Sequence, residues 1–154
     1  MGAWGVKALD SDEGLDVLDE FTDYCIENDE IKIGDLLEYF KEAGLLPENP
    51  EEIDFTYDHT VMVLGELLKE YNDTGKVIIN YENDEDEEVE EEVTNISFDK
   101  ENISYLIEQI SDILNPKGEV HETYELWEDS DSFQEWKEHN LVLLESLKSI
   151  KDNL

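Results

Sequence analysis

Arginine is absent from this chain of 154 residues, and its ten basic residues besides histidine are all lysines. Without a guanidinium group the chain lacks the planar fork that grips a phosphate from two sides. Aspartate and glutamate together number 44, which gives a formal net charge of -34. An excess of negative charge on this scale opposes binding to other polyanions. We therefore expect no direct nucleic acid partner and no membrane partner.

Cysteine occurs once, at Cys25, so an internal disulfide cannot form. The first residues lack the basic and then apolar pattern of a secretory signal. No stretch approaches the roughly 20 apolar residues that a membrane-spanning helix needs. These absences predict a cytoplasmic protein.

Hydrophobic residues make up 39% of the chain and aromatic residues 10%, which is enough for a core. Apolar side chains recur at helical spacing in six segments, and Asp99 is placed to cap the fourth of them, which we expect to be central. Asp10 and Glu13 form a candidate capping box for the first. The predicted helices cover residues 10–28, 35–43, 58–71, 99–114, 119–128 and 132–150.

The apolar period changes between the third and fourth helices. Residues 76–81 and 93–98 have strand propensity, and nine of the eleven residues between them, 82–92, are acidic. A charge run of this kind cannot be buried, so we predict a β-hairpin with a long, mobile, acidic tip. The predicted fold is mostly α: a compact helical domain over residues 1–154, with residues 76–98 as a two-stranded hairpin insertion.

Both ends of the chain carry motifs of a known family. Residues 1–5 read MGAWG, residues 9–18 read LDSDEGLDVL, and a later segment contains YELWE at 124–128 followed by Trp136. These stretches, within residues 1–18 and 122–136, resemble a bacterial family catalogued as domain of unknown function 4259. The sequence departs from the family pattern at Lys7, where glycine is common, and in the segment 76–98. The resemblance implies a small, mostly helical protein and brings no catalytic residues with it.

Seven acidic residues fall beside the apolar stripe of the first helix. On a helical wheel with about 100° between successive residues, all seven lie within an arc of about 100°. No lysine lies between positions 8 and 31 to offset them. We call this set the acidic ridge: Asp12, Asp16, Asp19, Glu20, Asp23, Glu27 and Glu30. A solvated helix face in a generally acidic protein would give the same pattern, so both interpretations stay open here.

Charge of one sign attracts a partner of the opposite sign. The favoured hypothesis is a non-catalytic protein that sequesters or inhibits a basic partner protein, such as a nuclease, a toxin or a nucleic-acid-binding protein, in the manner of an immunity protein or a nucleic-acid mimic. The predicted contacts are the acidic ridge and five residues of the acid run: Asp84, Glu85, Asp86, Glu87 and Glu88. The oligomeric state is left open.

Two alternatives also fit the composition. The chain could be a small enzyme or a small-molecule binder with a pocket between the first and closing helices. Its acids could instead be an adaptation to high salt, where many surface carboxylates are a general solution. A solved fold with a concave apolar pocket and convergent polar groups would favour the first of these.

Few residues suggest catalysis or metal binding. His121 with Glu125 and Glu135 with His139 are i, i+4 pairs, but they lack the spacing of di-iron or zinc helix motifs, so surface pairing is the prediction. His59 is expected to have a capping or solvent-exposed role and Cys25 a place in the core. The tryptophans are expected to be core anchors, with Trp4 packed against the closing helices. We assign no catalytic residue, metal ligand or cofactor.

Overall fold

The computed structural model of the chain describes residues 5–49, 52 and 55–154. These residues form six α-helices and four β-strands, so the fold is mostly α, as the sequence predicted. In chain order the elements are α1 (Asp12–Glu27), β1 (Ile31–Lys32), α2 (Ile33–Glu42), α3 (Phe55–Thr74), β2 (Val77–Glu82), β3 (Glu88–Val93), β4 (Ile96–Ser97), α4 (Lys100–Leu114), α5 (Glu122–Glu128) and α6 (Phe133–Asp152).

The N-cap of the first helix lies one residue later than predicted. Ser11 is the N-cap, and its hydroxyl accepts a hydrogen bond from the backbone N–H of Gly14 at 3.0 Å. The same hydroxyl donates to the carbonyl of Ala8 at 2.7 Å, which draws the preceding chain against the helix. A Cβ at Gly14 would lie 1.8 Å from that carbonyl oxygen, so only glycine fits there. The predicted capping box at Asp10 is therefore wrong.

The third helix, not the fourth, occupies the centre of the fold. Every residue from position 58 to position 65 is buried, because α3 packs against α1, α4, α5, α6 and β2. The predicted helix over 58–71 is confirmed, although its first half is enclosed on all sides and shows no polar stripe there. It runs from Phe55 to Thr74, several residues beyond both predicted ends.

The acid run is a strand rather than a long loop. Strands β2 and β3 pair antiparallel from Val77 opposite Val93 to Glu82 opposite Glu88, which leaves residues 83–87 as the turn. The side chain of Asn83 closes this turn by accepting hydrogen bonds from the backbone N–H groups of Glu85 and Glu87, both at 3.0 Å. The predicted two-stranded hairpin is therefore confirmed, but its second strand is Glu88–Val93 and not 93–98, and its turn is shorter than the predicted tip over 82–92. A solvated strand face accommodates the glutamates, while Val89 and Val93 are half-buried.

A second sheet of two short strands was not predicted. Ile31 and Ile96 are buried partners in a parallel pair formed by β1 and β4. The backbone N–H of Ile31 also donates to the carbonyl of Asn95 at 2.8 Å. This pair joins the segment after α1 to the chain that leaves the hairpin.

The tryptophans of the closing helices are core anchors, as predicted. Trp136 is fully buried and Trp127 nearly so, and their rings stack with centroids 5.8 Å apart. The prediction for Trp4 falls outside the residues that the structure describes. Among the described residues, no helix is long and apolar enough to cross a lipid bilayer.

Candidate functional site

A cleft of about 650 Å³ opens between the first turns of α3 and the second half of α4. The loop before α3 and the loop between α4 and α5 form its other two walls. The sequence alternative placed a pocket between the first and closing helices, whereas no residue of α1 or α6 lines this cleft. Its volume falls in the range of small-ligand sites in proteins.

A buried aspartate at the start of α3 anchors one wall of the cleft. Asp58 is only 4% exposed, and both of its carboxylate oxygens lie close to Nδ1 of His121, at 2.9 and 3.0 Å. The hydroxyl of Thr123 donates a further hydrogen bond to the same carboxylate at 2.9 Å. A buried carboxylate needs partners of this kind, because burial without them costs several kcal/mol.

His121 lies between α3 and α4 and contacts one carboxylate from each of these helices. Nε2 of His121 lies 2.8 Å from the carboxylate of Asp112 in α4, while Nδ1 faces Asp58. Both ring nitrogens therefore act as donors, which requires the protonated imidazolium. The hydrogen bond to Asp58 is the main cause that raises the pKa of His121 to about 9, against the opposing effect of burial and with added support from Asp112.

The third member of this group ties down the loop that follows α4. Asp112 accepts a hydrogen bond from the backbone N–H of Lys117 at 3.1 Å through the oxygen that His121 does not contact. Partial burial by itself raises the pKa of Asp112, but the hydrogen bonds from His121 and Lys117 outweigh it, so the pKa lies below its usual value. We call Asp58, His121 and Asp112 the histidine clamp.

The contacts of the histidine clamp hold its three residues in fixed positions. Both imidazole nitrogens already donate to carboxylates, so His121 has no free lone pair with which to act as a general base or to bind a metal. Within the described part of the chain, no group of three His, Cys, Asp or Glu side chains is arranged to hold a metal ion. What the clamp does is fix three segments of the cleft wall relative to one another.

The remaining lining of the cleft combines aromatic and charged side chains. Tyr57 from α3 and Tyr105 from α4 are both half-buried, and burial raises the pKa of Tyr105. Gln109 lies one turn along α4 from Tyr105, and Glu119 is exposed in the loop before α5. The cleft therefore offers flat aromatic surface together with carboxylates, a combination that suits an organic cation.

Both histidine pairs proposed from i, i+4 spacing are wrong. His121 is buried and precedes α5, and only its backbone carbonyl meets the N–H of Glu125, at 3.1 Å. His139 bonds through Nε2 to Glu66 of α3 instead of Glu135. In the tertiary structure both histidine side chains therefore bond to carboxylates of other helices.

His59 and Cys25 both lie in the interior. His59 is 5% exposed, so the expected capping or solvent role is wrong; its Nδ1–H donates to the carbonyl of Phe55 at 2.9 Å. Cys25 is buried as predicted, and burial is the main cause that raises its pKa to about 12, with Glu91 adding to the rise. A thiol with such a pKa is not a nucleophile at neutral pH.

The acidic ridge lies on the surface, with one member partly buried. Six of its seven residues are exposed, while Glu20 is half-buried and accepts a hydrogen bond from the hydroxyl of Tyr39 at 2.7 Å. This bond is the main cause that raises the pKa of Tyr39 to about 12, and burial and the charges of Glu20, Asp23 and Glu27 add to it. Glu30 lies beyond the end of α1, in the connection to β1.

The five hairpin acids predicted as contacts are all exposed. They lie in the turn and at the start of β3, away from α1. Asp84 to Glu87 are in the turn, and Glu88 begins the strand. A different part of the acid run meets the first helix: Glu91 and Glu92 line a groove of about 330 Å³ with Cys25, Asn28 and Asp29. The structure thus places Glu91 and Glu92, which were not among the predicted contact residues, close to the C-terminal end of α1.

A family comparison agrees with the motifs at the two ends of the chain. A family model described as a domain of unknown function, DUF4259, matches residues 2–139. The chain belongs to this DUF4259 family. The match includes the acidic ridge, the hairpin and the histidine clamp of this DUF4259 protein.

Other similarities are limited. A DNA primase of Haemophilus influenzae is 37% identical over 59 residues, which are 38% of this chain and 10% of the primase. The chain therefore spans about a tenth of the length of that curated relative. No solved structure matches the fold of this DUF4259 protein.

Proposed function

We propose that this DUF4259 protein is a non-catalytic, cytoplasmic binding protein that sequesters or inhibits a basic partner protein. The partner would be a nuclease, a toxin or a nucleic-acid-binding protein, whose lysines and arginines meet the acidic ridge. The single observation that carries the proposal is the exposure of the twelve acids predicted as contacts, the seven of the acidic ridge and the five of the hairpin, and their lack of lysine partners. Eleven of them are exposed, and within the described residues none forms an ion pair with a lysine.

Unpaired carboxylates that share one face of a helix concentrate negative potential along that face. On α1 the exposed members Asp12, Asp16, Asp19, Asp23 and Glu27 repeat every three or four residues, so like charges stand next to one another. Such neighbours repel in the free protein, and a cationic partner relieves that repulsion when it binds. Complementary fields also raise association rates by roughly ten- to a thousand-fold at low salt.

The mechanism is electrostatic steering followed by occupation of a basic surface. Each charge that is exposed at the rim of an interface contributes chiefly to the association rate and to its salt dependence. The proposal therefore requires binding that weakens as salt shortens the screening length. A cytoplasmic location is consistent with a lone, buried and unreactive thiol, Cys25.

A pair of matched variants tests whether the ridge matters more than total charge. The ridge variant replaces four exposed acids of α1: Asp16→Asn, Asp19→Asn, Asp23→Asn and Glu27→Gln. The control variant replaces four exposed acids on α5 and α6 that form no ion pair with a described lysine: Glu122→Gln, Glu125→Gln, Glu128→Gln and Glu135→Gln. Both variants carry the same net charge.

Each immobilised protein is incubated with cell lysate at about 0.01 M and about 0.15 M salt, between which the screening length falls from roughly 30 to 8 Å. We expect a protein rich in lysine and arginine to be retained by the wild type and by the control variant, and lost by the ridge variant. Its retention should fall at the higher salt. Equal retention by both variants, or no basic protein at low salt, would contradict the proposal.

A further inference from the structure

We propose that the cleft beside the histidine clamp binds an arginine side chain of the basic partner, together with the residues that flank it. This inference rests on the proposed function and adds an anchor point to it, away from the acidic ridge. It is carried by the lining of the cleft, which combines excess negative charge, two tyrosines and an apolar wall.

The charges around the cleft favour a cation. Four carboxylates line it against two cationic side chains, Lys117 and His121. His121 is already shared between Asp58 and Asp112 in the histidine clamp. The other two carboxylates, Glu52 and Glu119, are exposed and form no ion pair with any described lysine. An arriving cation therefore finds carboxylates that are not yet neutralised.

The uncharged lining favours a guanidinium over a compact ammonium. Tyr57 and Tyr105 reach the cleft from two different helices, and guanidinium groups stack on aromatic rings while they bond to carboxylates. Leu46 and Val61 supply apolar surface for the aliphatic stem of the same side chain. This protein contains no arginine, so no guanidinium group of its own can occupy such a site.

The site is also held in place before the ligand arrives. The histidine clamp bonds α3, α4 and the loop before α5 to one another, and the backbone N–H of Lys117 is fixed to Asp112. A cleft whose walls are already ordered loses less conformational entropy on binding. The volume of about 650 Å³ exceeds a single side chain and leaves room for neighbouring residues of a partner segment.

The test is an NMR titration of the whole protein with three capped tripeptides, Gly-Xaa-Gly, in which the central residue is arginine, citrulline or lysine. Citrulline has nearly the shape of arginine but no charge, so it separates charge from shape. We expect the arginine peptide to shift the amide signals of Gln109 and Gly118, and the citrulline peptide to leave them unchanged. Shifts spread over α1 with none in the cleft, or equal binding of the lysine peptide, would overturn the inference.

Two substitutions outside the histidine clamp locate the site. Glu119→Gln and Tyr105→Leu should each lower the affinity for the arginine peptide by about two- to fivefold. A loss of this size is expected when a partly exposed ion pair or cation–π contact is removed. The control, Glu125→Gln, removes an exposed acid that does not line the cleft and should leave the affinity unchanged. Unchanged affinity in both cleft variants would overturn the assignment to this cleft.

The two proposals fail in different ways. If the arginine peptide does not bind but a basic partner is still captured in a ridge-dependent manner, the cleft is not the anchor and the proposed function stands. If the peptide binds in the cleft but no basic partner depends on the ridge, the proposed function fails while the cleft keeps its ligand class.

Discussion

The acidic ridge and the histidine clamp hold the same chemical group in opposite circumstances. On the ridge, carboxylates such as Asp16 and Asp19 are exposed and have no lysine partner among the described residues. In the clamp, Asp58 is 4% exposed and meets His121 and Thr123. The comparison teaches that solvent and partners, not residue type, decide whether a carboxylate opposes or supports the fold.

Removal of a charge should therefore have opposite effects in the two regions. In the clamp the carboxylates and the imidazolium satisfy one another, so the loss of His121 leaves Asp58 buried and uncompensated. On the ridge each carboxylate is solvated by water and repelled by its neighbours, so its loss relieves repulsion.

The largest effect is expected from His121→Ala. This change leaves Asp58 and Asp112 without the cation that separates them, and we expect it to lower the free energy of unfolding by about 3–5 kcal/mol. Urea unfolding followed by circular dichroism measures it. As a control, Asp129→Asn neutralises an exposed acid and should change the stability by less than about 0.5 kcal/mol. Similar values for the two variants would contradict the structural role of the clamp.

The next largest effect is a fall in stability with rising pH. The pKa of His121 is raised to about 9 in the folded chain, above its ordinary value of 6.5. Its contribution is therefore complete below about pH 6.5 and is lost as the pH rises through about 9. We expect a loss on the order of 3 kcal/mol across this window, measured by urea unfolding. Since His121→Gln removes the titrating group, its stability should vary much less, and an equal slope would contradict the assignment.

Tyr39→Phe tests the hydrogen bond that a ridge residue, Glu20, accepts from the hydroxyl of Tyr39. The change removes the hydrogen bond to Glu20 and leaves the ring contacts of Tyr39 with Tyr24 and Phe40 in place. We expect a loss of about 1 kcal/mol in the free energy of unfolding. The double variant Tyr39→Phe with Glu20→Gln should lose little more, and a further loss as large as the first would show that the two groups act separately.

The only gain in stability is expected from the ridge variant with four neutralised acids. The relief of repulsion between neighbours should stabilise the protein by a few tenths of a kcal/mol for each pair removed. Unfolding at low and at raised salt measures the effect, because screening should shrink the gain. A destabilised ridge variant would mean that these acids have partners within the fold.

Local structure was largely accessible from the sequence where one face of an element is solvated. The stripe of Ile103, Leu106, Ile110 and Ile113, together with the cap at Asp99, predicted α4 at its observed position. The helix α3 was predicted, with both of its ends three residues short, whereas β3 was missed because its acids suggested a loop. In β3 the strand signal was limited to two half-buried valines four positions apart, Val89 and Val93, and the charge obscured it.

The candidate site could not be read from the sequence because its members are far apart. Asp58 and His121 are 63 positions apart, and no local spacing joins them. Each residue also looked ordinary: His121 had a nearby glutamate on a predicted helix, and Asp58 was one of 44 acids. The one available signal was the short apolar run that follows Asp58, which marks it as an acid next to a fully buried segment.

The sequence by itself determined the family, the helical class and the large negative charge, because composition and periodicity are local properties of the chain. Only the tertiary structure decided which carboxylates lie in water and which are buried against His121. Burial and long-range pairing depend on how the helices pack, and they set the solvation that each charge loses or keeps.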